Sequence, residues 1–298
     1  MANFSITHDL VAGNRDFSDL IARHSGDKTV AYKILDGEEI RMSFFFPDDY
    51  SEDKKYPCIV YIHGGGWTGR DIFPDQEQDG WQGDQFGFLA RHHSEMGYLG
   101  ISIDYRMERH HAEGYQIIDC CDDCIEAMDY ILDRAEEYHI DTERVYVLGE
   151  SAGGHLAAYI AVKYKREGFK LKGAFCGNPV MYFEGDPDFE MIPSSSTHPV
   201  WAKMDPKDYA KSISPLCLID KDTAPCILLH GNADSCVIPR HSQLFYDKMC
   251  ELGLDCELHW IDKTNHAFML AEVTDNLDAC RISVEIVDDR LKRDEDGK

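Results

Sequence analysis

The stretch Val145-Tyr146-Val147-Leu148-Gly149-Glu150-Ser151-Ala152-Gly153-Gly154-His155-Leu156-Ala157-Ala158 decides the fold. Its first four residues form a short apolar run that reads as a buried strand. The last four begin a helix-forming stretch, and Gly149–Gly153 between them fits G-x-S-x-G. A serine on so sharp a strand-to-helix turn needs neighbours without Cβ, so that helix and strand can approach. Its hydroxyl then sits at the positive end of the helix dipole, which favours a developing anion. This context marks Ser151 as a candidate nucleophile.

Outward from this turn, apolar runs alternate with helical stretches. Thr29–Asp36 and Glu39–Pro47 read as strands joined at Asp36-Gly37, a hairpin signal. Cys58–His63, Tyr98–Asp104, Gly173–Cys176, Cys226–His230 and Cys256–Ile261 read as further strands. Gln85–Met96, Ile117–Glu137, His155–Arg166 and Ser242–Leu252 read as helices. Such alternation predicts an α/β fold: a mostly parallel sheet flanked by helices, with the antiparallel N-terminal hairpin at one edge. No repeat or linker divides the chain, so a single domain over 1–298 is expected, with 1–28 as an N-terminal segment. Met181–Pro215, rich in proline, is too long for a connection and reads as a cap-like insertion over the strand ends. Gly69–Gly83 is a second irregular stretch.

His63-Gly64-Gly65-Gly66-Trp67 directly follows a strand. A glycine run there lets backbone N–H groups face a site, as an oxyanion hole requires. The expected donors are Gly64, Gly65 and the residue after the nucleophile, Ala152. His63 is expected to order that loop. For the base, the order Ser…Asp/Glu…His admits His155, His198, His230, His241, His259 and His266. Of these, His266 lies in a loop after a strand, at the sheet end to which the serine turn points. Asp234 follows strand Cys226–His230 at the same end, whereas Asp220 and Asp222 precede it and Asp262 competes. The expected catalytic set is Ser151, His266 and Asp234. Trp67, Phe183 and Trp201 are expected to line a small substrate pocket.

The formal net charge is −25, from 30 basic and 55 acidic residues. This surface argues against nucleic acid or anionic membranes as partners. The N-terminus lacks a basic segment followed by an apolar run and does not read as a signal peptide. The odd set of 11 cysteines without framework spacing predicts reduced thiols and a cytoplasmic location. Cys120, Cys121 and Cys124 fall in a helix without a second ligand pair and read as packing residues. No metal or cofactor is expected.

These motifs resemble the hormone-sensitive-lipase-like carboxylesterase and acetylesterase branch of the α/β-hydrolases. His63–Trp67 is similar to that branch's His-Gly-Gly-Gly, and Gly149–Gly154 to its Gly-Asp-Ser-Ala-Gly-Gly, with Glu150 in place of Asp. Asp104-Tyr105-Arg106, the region from Ser214-Pro215 to Val237, and His266-Ala267-Phe268 extend the likeness. It covers roughly residues 40 to 275. The short N-terminal segment resembles small-capped feruloyl-esterase-like relatives more closely. The resemblance implies an α/β-hydrolase fold with an eight-stranded sheet and Ser-His-Asp hydrolysis of a small-molecule ester, short-chain and acetyl-like, carbohydrate esters among them. It also implies a homodimer as an expected assembly. Two alternatives stand beside it: an amide-cleaving hydrolase (a peptidase or arylformamidase), and a catalytically silent binding module on the same fold.

Overall fold

The computed structural model describes residues 25–35, 37–67, 86–106, 116–183, 205–269 and 277–297. In chain order these form β1 (Lys28–Leu35), β2 (Glu38–Phe45), β3 (Tyr56–Ile62), α1 (Gly87–Glu95), β4 (Leu99–Ile103), α2 (Ile117–Asp133), β5 (Ile140–Glu150) and α3 (Ala152–Lys163). Then follow β6 (Gly173–Gly177), α4 (Pro206–Ser212), α5 (Pro215–Leu218), β7 (Cys226–Gly231), α6 (Arg240–Glu251), β8 (Cys256–Ile261) and α7 (Leu277–Glu295).

The eight strands form one sheet in the order β1-β2-β4-β3-β5-β6-β7-β8. β1–β2 and β2–β4 pair antiparallel, and every other neighbouring pair is parallel. This is the expected architecture, with the hairpin at one edge. Burial explains the placement. Every residue of β3 is buried, as a central strand covered on both faces requires, whereas β1 and β8 are mostly half-exposed and lie at the edges.

Strand alternation sorts the core into two layers. Val60, Ile101, Val147 and Leu228 face one way, onto α2 and α3. Ile59, Tyr61, Leu148 and Leu229 face the other, onto α1 and α7. Cys120, Cys121 and Cys124 lie fully buried in the first layer. Burial there pushes their thiols well above the usual range, as befits packing residues.

Several boundaries differ from the sequence reading. β5 starts at Ile140 rather than Val145, because a register shift opposite Tyr56 and Cys58 lets the polar stretch Asp141–Arg144 continue the strand. α3 begins at Ala152, immediately after the serine. α7 carries an apolar stripe at Val284, Val287 and Leu291, with Cys280 buried one turn before it, diluted by surrounding charges, which is why its period is hard to read in the sequence. Of the insertion Met181–Pro215, residues 181–183 and 205–215 are described. Residues 184–204, with Trp201, lie outside the described residues, as does the irregular stretch 69–83. No helix among the described residues is long and apolar enough to cross a membrane.

The tightest junction lies where β5 turns into α3 beside the end of β3. A Cβ on Gly153 would lie 2.0 Å from the Ile62 carbonyl oxygen and 2.6 Å from that of His63. A Cβ on Gly149 would lie 2.3 Å from the Gly153 carbonyl oxygen. All of these are backbone atoms that cannot swing aside. Gly153→Ala is therefore expected to cost about 3 kcal/mol or to prevent folding. An unchanged urea midpoint would contradict this close approach.

Candidate active site

Ser151 occupies the turn itself, with φ 59° and ψ −121°, a conformation that costs a non-glycine residue free energy. Two backbone bonds hold it. Its N–H donates to Gly177 O (2.8 Å), and its carbonyl accepts from His155 N (2.9 Å) as α3 begins. The hydroxyl is only partly buried and lies 2.8 Å from His266 Nε2.

His266 Nδ1 lies 2.7 Å from Asp234 Oδ2. An ionised carboxylate can only accept, so Nδ1 carries the proton and Nε2 is left to accept from Ser151. Asp234 Oδ1 accepts from the N–H groups of Cys236 (2.8 Å) and Val237 (2.9 Å). Burial pushes the Asp234 carboxyl upward, but hydrogen bonds from His230 and His266 outweigh it and hold the group well below the usual carboxylate range. The sign follows from linkage. Stability contributed by Asp234 is complete above the ordinary aspartate pKa and is lost as pH falls below it.

The loops bearing Asp234 and His266 are stitched to each other. Ala233 N donates to Thr264 O (3.0 Å), Lys263 N to Asn232 Oδ1 (2.7 Å) and Ser235 N to Asn265 Oδ1 (3.0 Å). The competing histidines have other partners. His259 pairs with Glu257 (3.0 Å), and His241 Nδ1 accepts from Met181 N (3.0 Å). His155 Nε2 donates to Ile213 O (2.7 Å), and its Nδ1 accepts from Trp67 Nε1 (3.2 Å). His230 Nε2 donates to Val237 O (2.8 Å), and its Nδ1 accepts from Ser242 Oγ (2.7 Å), bracing the Asp234 loop. His198 lies outside the described residues. Asp262 takes Asn232, and Asp220 accepts from Asp222 N.

The glycine loop begins at the end of β3. The Tyr105 hydroxyl lies 3.0 Å from both the His63 and Gly64 carbonyl oxygens, and its ring stacks on His63 at 4.2 Å. His63 Nδ1 lies 2.8 Å from Gly64 O. Gly65, Gly66 and Trp67 all have positive φ. Ala152 opens α3, where N–H groups lack intrahelical acceptors. Trp67 and Phe183 are buried and pack against each other (ring centroids 5.6 Å) and against His155.

Sequence reasoning left Glu150 and Asn178 without a role. Glu150 is buried, and its Oε1 accepts from Phe268 N (2.9 Å), Met269 N (2.9 Å) and Asn178 Nδ2 (3.2 Å). Asn178 Oδ1 accepts from Gly231 N (3.0 Å), and Asn178 N donates to Leu229 O (2.8 Å). One carboxylate and one amide thus join the ends of β5, β6 and β7 to the loop that follows His266. The signal was present in a buried acid directly before the serine, but its partners lie 28 to 119 residues away.

Residues 42–249 match the BD-FAE family. Over 266 residues the chain is 25% identical to a probable isoprenylcysteine α-carbonyl methylesterase of Oryza sativa subsp. japonica, covering 80% of this chain and 57% of that protein. It is 25% identical over 230 residues to the probable carboxylic ester hydrolase LipM of Mycobacterium tuberculosis, covering 72% and 50%. The chain thus spans between 50% and 57% of the length of these relatives. The propionate-bound structure of a thermophilic esterase from Thermogutta terrifontis superposes with a TM-score of 0.72 at 25% identity, covering 90% of this chain and 94% of that one. The fold is the α/β-hydrolase fold.

Removing the Glu150 carboxylate leaves the Phe268 and Met269 N–H groups without their acceptor. Glu150→Ala is expected to lower unfolding free energy by at least about 2 kcal/mol, and Glu150→Gln, which keeps an acceptor oxygen, by clearly less. Equal losses in denaturant titrations would show that the two backbone bonds contribute little.

Proposed function

The chain belongs to the BD-FAE family, and from that premise we propose that it is a serine carboxylic-ester hydrolase acting on short acyl esters, carbohydrate acetates among them. One observation carries the reading: Ser151 Oγ, His266 and Asp234 form a continuous hydrogen-bonded line of 2.8 and 2.7 Å. His266 Nε2 takes the proton of Ser151 as Oγ attacks the ester carbonyl carbon. Asp234 stabilises the imidazolium that results and does not itself take the proton. The N–H groups of Gly64, Gly65 and Ala152 receive the negative charge on the former carbonyl oxygen. His266 then protonates the leaving alkoxide, and an acyl-enzyme remains. In the second half, His266 deprotonates a water that attacks the acyl carbon. The carboxylic acid leaves as Oγ recovers its proton.

Three further features support the reading. The serine turn sits at the start of α3, where the helix dipole favours the oxyanion. The Tyr105 hydroxyl engages the carbonyls of the glycine run, which keeps that loop in one conformation before substrate arrives. Trp67 and Phe183 bring bulk beside the glycine loop, in keeping with a small acyl pocket. The propionate bound to the Thermogutta esterase is a short carboxylate of the size such a pocket would take.

Ser151→Ala is expected to lower p-nitrophenyl acetate hydrolysis by about 10⁴-fold or more and to abolish labelling by a fluorophosphonate. Asp234→Asn should reduce kcat by about 10⁴-fold, because the imidazole loses its tautomer. Wild-type turnover in the serine variant would end the proposal, and a faster rate on matched anilides than on esters would move it to amide cleavage. Across p-nitrophenyl esters from acetate to octanoate, kcat/KM should fall, and a rise would refute the small pocket.

A further inference from the structure

On the sheet face covered by α1 and α7 lies a second constellation that the ester chemistry does not use. His92 and His93, consecutive on α1, both direct Nε2 at Asp288 of α7. The separations are 3.0 and 3.2 Å from His92 to the two carboxylate oxygens, and 3.1 Å from His93 to Oδ1. The three ligand-type atoms lie within 4.8 Å of one another, and all three residues are buried. We infer that His92, His93 and Asp288 form a site for a divalent transition-metal ion, Zn²⁺ above all.

Four observations carry this. First, successive helix residues point about 100° apart, yet both imidazoles converge on one carboxylate. Second, the separations of 3.0–3.2 Å are longer than a charge-assisted imidazole–carboxylate bond and only slightly shorter than the spacing of ligand atoms around an ion. Zn–N and Zn–O bonds of about 2.0–2.2 Å place tetrahedral ligand atoms about 3.3–3.5 Å apart, close to what is seen. A charge-assisted imidazole–carboxylate bond closes to about 2.7–2.9 Å, as His266 and Asp234 do at 2.7 Å. Third, the other nitrogen of His93, Nδ1, shares a 2.7 Å hydrogen bond with the Tyr61 hydroxyl of β3. That contact fixes the plane of the ring, as outer partners do for ligating histidines. Fourth, His92 sits at the rim, 9% exposed, which gives an ion a route in, while His93 is 0% exposed.

Two imidazoles and a carboxylate suit Zn²⁺ and its neighbours rather than Ca²⁺ or Mg²⁺, which prefer all-oxygen shells. The described residues supply three ligands, leaving a position for water. The site ties α1 to α7 across 195 residues of sequence, so its role is to hold the C-terminal helix on the sheet. This is independent of the ester-hydrolase reading.

The test begins with chelator-stripped full-length protein. Zn²⁺ is expected to bind with 1:1 stoichiometry by calorimetry and to raise Tm by about 5 °C at roughly 100-fold excess over Kd. Both effects should vanish in His93→Gln and in Asp288→Asn, each of which keeps a hydrogen-bonding side chain in place. Co²⁺ substitution should give visible d–d bands without the near-ultraviolet thiolate band that binding to one of the cysteines would produce. Absence of stoichiometric uptake, uptake unchanged in both variants, or a thiolate signature would overturn the assignment.

Discussion

The contact on which the rest depends is that of Gly153 with the carbonyls of Ile62 and His63, where β3 ends. The first turn of α3 presses on Ile62 and His63 so closely that no side chain fits. This contact brings Ser151 beside the glycine run and makes a single unit of the two loops where charge would develop. The strain at Ser151 follows from it: a serine at φ 59° is tolerated because Gly177 and His155 hold its backbone on both sides.

Around that junction, polar groups do what apolar packing cannot. Loops at strand ends have few ways to fix a side chain within a fraction of an ångström, because dispersion contacts are weakly directional. Glu150 and Asn178 supply direction. Glu150 at the end of β5 and Asn178 after β6 bond to each other, to Gly231 N at the end of β7 and to the Phe268 and Met269 N–H groups after β8, so the segments bearing Ser151, Asp234 and His266 belong to one hydrogen-bonded frame. A buried carboxylate is expensive unless its lone pairs are used, and Glu150 Oε1 uses three donors. His230 and Ser242 do the same for the Asp234 loop, and Tyr105 for the glycine loop.

Two carboxylates of the molecule each face two histidines, and their geometries differ. Asp234 closes on His266 to 2.7 Å, with His230 at 3.4 Å, and takes two backbone N–H groups on its other oxygen. Asp288 stands at 3.0–3.2 Å from both of its histidines. The first arrangement favours an oriented, proton-carrying imidazole. The second is the looser convergence of two imidazoles on one carboxylate from which the ion site is inferred. They lie at different places on the same sheet, one in the loops at the strand ends and the other between helices on one face.

Much of this was legible in the order of residues. The α/β alternation, the antiparallel hairpin and the serine turn follow from local periodicity and from glycines whose need is set by their nearest neighbours. Among the histidines after Ser151, position after a strand pointed to His266, since parallel strands end on one side of the sheet. What the sequence alone could not hold is who meets whom across the sheet. Glu150 reads only as a departure from an aspartate. His92-His93 reads as two helix residues, and Asp288 as one acid among many in a chain of net charge −25. Their partners lie between 28 and 196 residues away, and only the stacking of strands and helices brings them within hydrogen-bonding reach. Local pattern determines which elements form, because propensity and period act over a few residues. Tertiary packing decides which polar groups converge, because that depends on sheet order and layer, which no short stretch encodes.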